Sequence, residues 1–222
     1  MDDILIFTPV RERQANAYRL EPETLAALCT LEWNGSTTNL FQRDNPYPDG
    51  HKNILHQYQR GRETFLAGRW DAMLVIESDI IPPVDTLHKL AALKADVAYG
   101  HYVFRSTPLM CNVFERYPGE ARNHGEALSV WPDKYYKAVR DKVVPCSGGG
   151  LGCVLIQRHV LEQVEFRRPS EPNAPDCDTY FTMDVFQNKF SMWADMTVIC
   201  GHKPAEGDIL WPPSLEKLRA KA

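Results

Sequence analysis

The sequence has neither closely spaced cysteine pairs nor an excess of charge of one sign. Its six cysteines form no CxxC pair and show no zinc-type spacing, so most of them are expected to be small core residues. Reduced thiols of this kind are typical of a cytoplasmic protein. A net charge of -4 over 222 residues gives no general attraction to nucleic acid or to an anionic membrane.

Long hydrophobic runs are missing as well. No apolar run approaches the length that crosses a bilayer, and Met1-Asp2-Asp3 leads directly into the short strand-like segment Ile4-Leu5-Ile6-Phe7. We therefore expect neither a transmembrane segment nor a signal peptide. With 44% hydrophobic and 24% charged residues, the composition predicts one globular domain, with room for a small lobe.

The glycine cluster Ser147-Gly148-Gly149-Gly150-Leu151-Gly152 lacks the marks of the common nucleotide-binding loops. No Gly-Lys-Ser/Thr follows it, so it is not a P-loop. It also does not follow a strand and open a helix, as the dinucleotide-binding fingerprint does, which argues against a nicotinamide enzyme. What these glycines allow is a close approach of the backbone to a bound sugar or diphosphate.

What the sequence does contain is a regular alternation of strand and helix patterns in its first half. Alternation of this kind predicts a parallel sheet covered by helices, because right-handed crossovers join neighbouring parallel strands. In the helix that begins near Glu21, Leu25, Leu28 and Leu31 are expected on one buried face. The predicted strands are Ile4 to Phe7, Thr37 to Gln42, Leu74 to Ile76 and Asp96 to Tyr102, and the helices between them begin near Glu21, His51 and Asp85.

Two carboxylates end the most apolar of these strands. Glu77 and Asp79 follow Leu74-Val75-Ile76 and are separated by one residue, so they can point the same way at the carboxyl edge of the sheet. Oxygen ligands at this place suit a Mg2+ or Mn2+ ion that carries a substrate phosphate. The alternative is an acidic turn before the helix that Pro82-Pro83 and Asp85 introduce.

Further polar residues stand at the ends of other predicted elements. Arg11 follows the first strand, where a guanidinium can bind phosphate or can simply be solvated. Asp176 and Asp178 begin a helix that ends near Lys189, and either can be a simple N-cap. His202 follows the strand Met192 to Ile199, and a lone loop histidine is more often structural.

Taken in order, these features resemble the GT-A glycosyltransferases, particularly the large inverting family. The resemblance covers Ile4 to Lys203 and rests on Glu77-Ser78-Asp79, the glycine cluster with the strand after it, Asp178-Thr179-Tyr180-Phe181 and Cys200-Gly201-His202. It implies an α/β fold with a mostly parallel central sheet flanked by helices. It also implies a single catalytic domain over 1–203, with a nucleotide-binding half at 1–103, an acceptor-binding half at 104–203 and a tail at 204–222.

The resemblance assigns roles to four residues. Asp79 matches the acid that binds Mn2+ or Mg2+ directly, and His202 matches the histidine that completes the metal site. Glu77 departs from the usual Asp-x-Asp triplet and is expected to act through water or the ribose of the nucleotide. Asp178 matches the catalytic base, so the reaction implied is metal-dependent transfer of a sugar to an acceptor hydroxyl with inversion.

The same resemblance places the two substrates. The donor, a UDP-sugar before other nucleotide-sugars, is expected to meet residues at strand ends and one helix: Thr8, Pro9, Arg11, Asp44, Arg62 and Ser78. The acceptor is expected to face Trp131, Gly149, Gly150 and Asp176. A saccharide acceptor is favoured over modified nucleic acid, although the basic and aromatic residues between 104 and 144, Arg105 among them, are compatible with a phosphate-bearing acceptor.

Two other functions remain open from the sequence. A nucleotidyltransferase shares the architecture, but it usually carries a Gly-rich loop with Lys or Arg after the first strand, which Thr8-Pro9-Val10-Arg11 does not supply. A catalytically inactive member that binds carbohydrate or protein is the second, with Trp131, Trp193 and Trp211 as candidate stacking surfaces.

Overall fold

A computed structural model describes residues 1–10, 12–14, 17–18, 20–105, 110–115, 132–171 and 176–214. Within this part of the chain the helices are α1 Pro22–Thr30, α2 Gly50–Ala67, α3 Thr86–Ala92, α4 Pro132–Asp141, α5 Arg158–Gln163 and α6 Cys177–Gln187. The strands are β1 Asp3–Pro9, β2 Glu12–Gln14, β3 Ala17–Tyr18, β4 Ser36–Gln42, β5 Ala72–Ile76, β6 Ile80–Ile81, β7 Val97–His101, β8 Val113–Glu115, β9 Val143–Gly149, β10 Cys153–Gln157, β11 Met192–Ile199 and β12 Gly201–His202.

Eight strands form one central sheet in the order β4-β1-β5-β10-β7-β11-β9-β8. β1 is parallel to β4 and β5, and β7 is parallel to β11, whereas β10 and β9 run against their neighbours. All the other strands of the sheet therefore share one direction. The predicted α/β class, with a large, mostly parallel central sheet, is confirmed.

Helices cover both faces of this sheet because successive residues of its strands point to opposite sides. In β1, Leu5 and Phe7 belong to the core beneath α2, α5 and α6, whereas Ile4 and Ile6 belong to the core beneath α1 and α3. Gly61 permits a close contact between α2 and the sheet, since a Cβ at this position would lie 2.6 Å from the Phe7 ring. The sheet is thus the middle of three layers.

The predicted alternation of the first half is confirmed, with one exception in helix packing. Leu28 in α1 is buried and Leu31 packs partly against the core, but Leu25 is 43% exposed. The expectation that all three leucines share a buried face was wrong for Leu25. The helix instead turns Thr24 and Leu28, one turn apart, toward the core, and both are buried.

The second half contains elements that the sequence pattern did not predict. The segment from Pro132, which is rich in aromatic and lysine residues, forms α4. The glycine cluster begins inside β9. β10 inserts antiparallel between β5 and β7, which places Cys153 opposite Ile76. Five of the six cysteines are buried and Cys29 is exposed. Among the described residues, no helix has both the length and the apolar character needed to cross a membrane.

Candidate functional site

A pocket of about 220 Å³ opens where β5 ends. Because β4, β1 and β5 are parallel, their carboxyl ends meet at the same edge of the sheet, and ligands of open α/β sheets bind at such edges. The pocket is lined by residues from six separate parts of the chain, among them Tyr58, Glu77, Arg105, Asp176, Asp178 and His202. Three of the predicted site carboxylates and the predicted histidine therefore meet at one place.

A tight turn after β5 sets the direction of its two acids. The Glu77 amide donates to the carbonyl of Gly152 at 3.0 Å, and the Ile80 amide donates back to the Glu77 carbonyl at 3.0 Å. The chain then forms β6, in which Ile80 pairs with His202 of β12. The Lys203 amide closes the arrangement by donating to the Asp79 carbonyl at 2.8 Å. Backbone hydrogen bonds thus hold Asp79 and His202 side by side.

Asp79 is almost completely buried and lies between two nitrogen-bearing side chains. Its Oδ2 accepts a hydrogen bond from Arg105 Nη2 at 2.7 Å, and its Oδ1 lies 3.9 Å from His202 Nε2. A buried carboxylate needs such partners, because removal from water penalises its charge. Arg105 supplies such a partner to Asp79.

The ring of His202 is oriented by the backbone. His202 Nδ1 lies 2.7 Å from the carbonyl oxygen of Val103, and since that oxygen only accepts, Nδ1 carries the proton. In the neutral ring the lone pair then belongs to Nε2, which faces Asp79. A backbone carbonyl that fixes the tautomer in this way is a common second neighbour of metal-binding histidines.

These two side chains fit a divalent cation, with substrate oxygens completing its coordination. Mg2+ and Mn2+ bind through one or two protein ligands plus waters and substrate phosphates at many phosphate-transfer sites. Among the described residues no three His, Cys, Asp or Glu side chains are grouped closely enough to hold a metal. A cation at Asp79 and His202 would therefore need oxygen ligands from water or from a bound molecule as well.

Glu77 faces the pocket in a different setting. Its Oε1 accepts a hydrogen bond of 3.1 Å from the Tyr58 hydroxyl. Burial, and then the charge of Glu77, raises the pKa of Tyr58 well above its ordinary value, so this hydroxyl stays protonated and remains a donor. The sequence offered no sign of this contact between α2 and the strand end.

Asp178 lines the same pocket from the first turn of α6. Its Oδ1 accepts from the Thr179 amide at 2.7 Å and from the Thr179 hydroxyl at 3.4 Å. Burial beside the pocket raises the pKa of Asp178, the Thr179 amide opposes this, and the negative charge of Asp176 raises it again. Asp178 is thus a carboxylate with an increased tendency to take up a proton.

Asp176 lines the pocket together with Asp178, and its carboxylate is bound by side chains that do not line the pocket. Its Oδ1 is hydrogen-bonded to Nδ1 of His51, an exposed residue in the first turn of α2, and Arg168 Nε lies 3.9 Å from the same oxygen. Asp176 occupies the N-cap position of α6, as the alternative reading expected, but its side chain makes no capping hydrogen bond. His51 is 125 residues away in sequence, and no local pattern pointed to this pair.

Several predicted donor-binding residues occupy the same edge of the sheet without lining this pocket. Thr8 and Pro9 end β1, and Ser78 is buried, with its carbonyl bound by the Glu21 amide at 3.0 Å. The buried Thr8 hydroxyl has no hydrogen-bond partner among the described residues. Asp44 follows β4, where His56 Nε2 lies 2.9 Å from its Oδ2.

Arg62, which the resemblance places near the donor, joins two helices in the structure. Its Nε donates to the Leu161 carbonyl at 2.7 Å and its Nη1 lies 3.7 Å from Glu165 Oε1, so the side chain joins α2 to α5. Arg62 lies one helical turn beyond Tyr58 and is not among the residues that line the pocket. Its hydrogen bond is made to α5, and the expected contact with the nucleotide stays a prediction.

The two glycines expected to face the acceptor are enclosed by protein. A Cβ at Gly149 would lie 2.9 Å from the Asn112 carbonyl oxygen, and one at Gly150 would lie 2.3 Å from the Tyr102 hydroxyl. The close approach seen at these glycines is to Asn112 and Tyr102, and the expected contact with the acceptor stays a prediction. Two further predicted residues, Arg11 and Trp131, lie outside the described residues.

No protein-family model matches the sequence, and the comparison with curated proteins gives no match either. Solved structures do match. A197 from STIV aligns with a TM-score of 0.57 and 18% identity, over 96% of this chain and 95% of that one. S. aureus TarS 1-349 aligns with a TM-score of 0.46 and 14% identity, over 89% of this chain and 61% of that one. The same fragment in complex with UDP-GlcNAc gives 0.47 and 14%, over 94% and 60%. The similarity to A197 spans nearly all of both chains and shows that the two proteins share a fold.

Proposed function

We propose that this chain is a nucleotide-sugar-dependent glycosyltransferase of the GT-A type, metal-dependent and inverting. The observation that carries the proposal is that His202 and Asp178, which come from distant segments, line one pocket at the carboxyl edge of the sheet, with Asp79 directly beside His202. The ordered resemblance in the sequence supports the same reading.

The two sides of the pocket would divide the reaction between them. Asp79 and His202 would hold a divalent cation, which supplies positive charge to the diphosphate of the donor as the leaving nucleotide departs. Asp178, opposite them, would take the proton of the acceptor hydroxyl as its oxygen bonds to the anomeric carbon. The bond from that carbon to the diphosphate breaks on the other face of the sugar, so the configuration inverts.

The donor and acceptor are proposed in the halves where the resemblance places them. The nucleotide would lie over 1–103, near Thr8, Pro9, Ser78 and Asp44, since parallel strands bring these residues to one edge. The acceptor would approach from 104–203, past Asp176 and Asp178. A UDP-sugar is the proposed donor and a saccharide hydroxyl the proposed acceptor.

A panel of nucleotide-sugars with Mn2+ tests this proposal. We expect at least one, with UDP-sugars first, to raise the melting temperature only in the presence of the cation and to be slowly hydrolysed. The variant Asp178→Asn should still bind the donor but should not transfer the sugar. Asp184→Asn is its matched control, because Asp184 lies on the same helix but pairs with Arg167 outside the pocket. Absence of binding and hydrolysis for every donor would overturn the proposal.

The same assay separates the two competing functions. Release of pyrophosphate from a nucleoside triphosphate and a sugar phosphate would indicate a nucleotidyltransferase. Saccharide binding with no donor response would indicate an inactive carbohydrate-binding protein. Either result would replace the transferase assignment.

A further inference from the structure

Arg105 is held firmly at the wall of the pocket by the backbone that precedes it. The Phe104 amide donates to the Met110 carbonyl at 2.7 Å, and the Asn112 amide donates to the Tyr102 carbonyl at 3.1 Å. An isolated bridge between Val103 and Cys111 lies between these bonds. The base of the Arg105 side chain is therefore fixed relative to the strand end that carries Asp79.

The guanidinium of Arg105 contacts the buried Asp79 and also lines the pocket. Nη2 binds Asp79 Oδ2 at 2.7 Å, and the side chain of Asp79 is 7% exposed whereas that of Arg105 is 33% exposed. Arg105 lines the pocket, but Asp79 lies behind it. A guanidinium has five N–H donors in a planar fork that matches phosphate oxygens, so this contact leaves donors for a ligand.

A divalent cation and Arg105 compete for the same carboxylate. A cation held by Asp79 and His202 would lie close to the positive guanidinium, and two like charges at such a distance repel strongly away from bulk water. A diphosphate removes the conflict, because its oxygens can accept from the guanidinium while they also bind the cation.

We infer that Arg105 is a phosphate-binding residue that exchanges partners, pairing with Asp79 in the empty pocket and with the donor diphosphate when a cation occupies Asp79. This inference rests on the proposed function for the identity of the diphosphate. It makes cation and diphosphate binding cooperative, since each ligand removes the obstacle to the other. No feature of the sequence separated Arg105 from the other basic residues of its region.

Binding of Mn2+ and inorganic pyrophosphate to the full chain tests the inference without a sugar donor. In Arg105→Gln we expect Mn2+ alone to bind about tenfold more tightly, because a competing cation is gone, and pyrophosphate at saturating Mn2+ to bind about tenfold more weakly. Arg105→Lys keeps the charge but loses the fork, so both affinities should lie between those of the other two proteins. Arg167→Gln, which removes an exposed ion pair outside the pocket, should change neither.

The outcomes distinguish this inference from the proposed function. Unchanged pyrophosphate affinity in Arg105→Gln and Arg105→Lys would overturn the phosphate role and leave Arg105 as a structural partner of Asp79. Unchanged Mn2+ affinity in both would overturn the competition. If Arg105→Gln does not fold, the lysine variant decides both points. Weaker pyrophosphate binding together with no response to any sugar nucleotide would support the phosphate site and count against the transferase.

Discussion

The carboxylates at the pocket have different surroundings on its strand side, where Asp79 follows β5, and on its helix side, where Asp178 lies in the first turn of α6. On the strand side, Asp79 is paired with Arg105 and faces His202, so its negative charge is compensated. On the helix side, Asp178 is buried near a second acid, and the pKa of Asp178 is raised. The two carboxylates thus have different neighbours, as the proposed division between a cation site and a general base requires.

Removal of the base should have the largest effect. In Asp178→Asn we expect kcat to fall by about 10²- to 10⁴-fold, the usual contribution of general-base catalysis, with donor affinity nearly unchanged. Initial rates and donor titrations with the preferred nucleotide-sugar measure both. Near-normal turnover in this variant would assign the base to another group, and Asp184→Asn should stay close to wild type.

Changes on the strand side should act on the cation instead. We expect Asp79→Asn and His202→Gln each to weaken Mn2+ binding in the presence of pyrophosphate by at least about tenfold, because each removes one of two proposed ligands. Paramagnetic titration of Mn2+ gives the affinities. Unchanged affinity in both variants would remove the proposed cation site, whereas a loss in only one would mean that the pair does not share an ion.

The pH profile can separate the two acids of the helix side. Because Asp178 must be ionised to accept a proton, its raised pKa moves the acid limb of kcat/KM to higher pH than an ordinary aspartate would give. In Asp176→Asn a repelling negative charge is lost, so the pKa of Asp178 should fall and the acid limb should move to lower pH.

His51 and Arg168 face Asp176 and partly offset its charge, so the profile of His51→Gln is the appropriate comparison. This variant should move the acid limb of kcat/KM to higher pH, since Asp176 is then less compensated. An acid limb that is identical in wild type, Asp176→Asn and His51→Gln would show that another group controls it.

The smallest effect on activity is expected at Arg62, which belongs to neither side. Arg62→Gln loses the bond to the Leu161 carbonyl, so the free energy of unfolding should fall by about 1 kcal/mol. The KM for the donor should not change, because the side chain faces α5. A donor-specific rise in KM would restore Arg62 to the nucleotide site and weaken the division between strand and helix sides.

The sequence predicted the elements better than it predicted their contacts. The apolar run before Glu77 predicted a buried strand, and all five residues of β5 are buried. The alternation of strands and helices announced the first half of the sheet, and the stretch Met192 to Ile199 was assigned with the bounds that the structure shows. These features follow from local hydrophobic patterns, which a single sequence displays.

Contacts between side chains that are distant in the sequence could not be predicted from local patterns. Arg105 with Asp79, Tyr58 with Glu77 and His51 with Asp176 each join separate elements, and no spacing in the sequence encodes such pairs. The direction of a side chain on a helix also decides its role, as at Arg62. Glycine was ambiguous for another reason, because a requirement for space does not reveal whether protein or ligand will fill it.

The pairing of β6 with β12 has a consequence for folding. Asp79 and His202 come from opposite halves of the sequence, so closing the chain between them costs entropy that only the finished sheet can offset. The cation site should therefore be among the last parts to form and the first to open. In native-state hydrogen exchange we expect the amides of His202 and Lys203, which bond to Leu210 and Asp79, to exchange faster than those of β5.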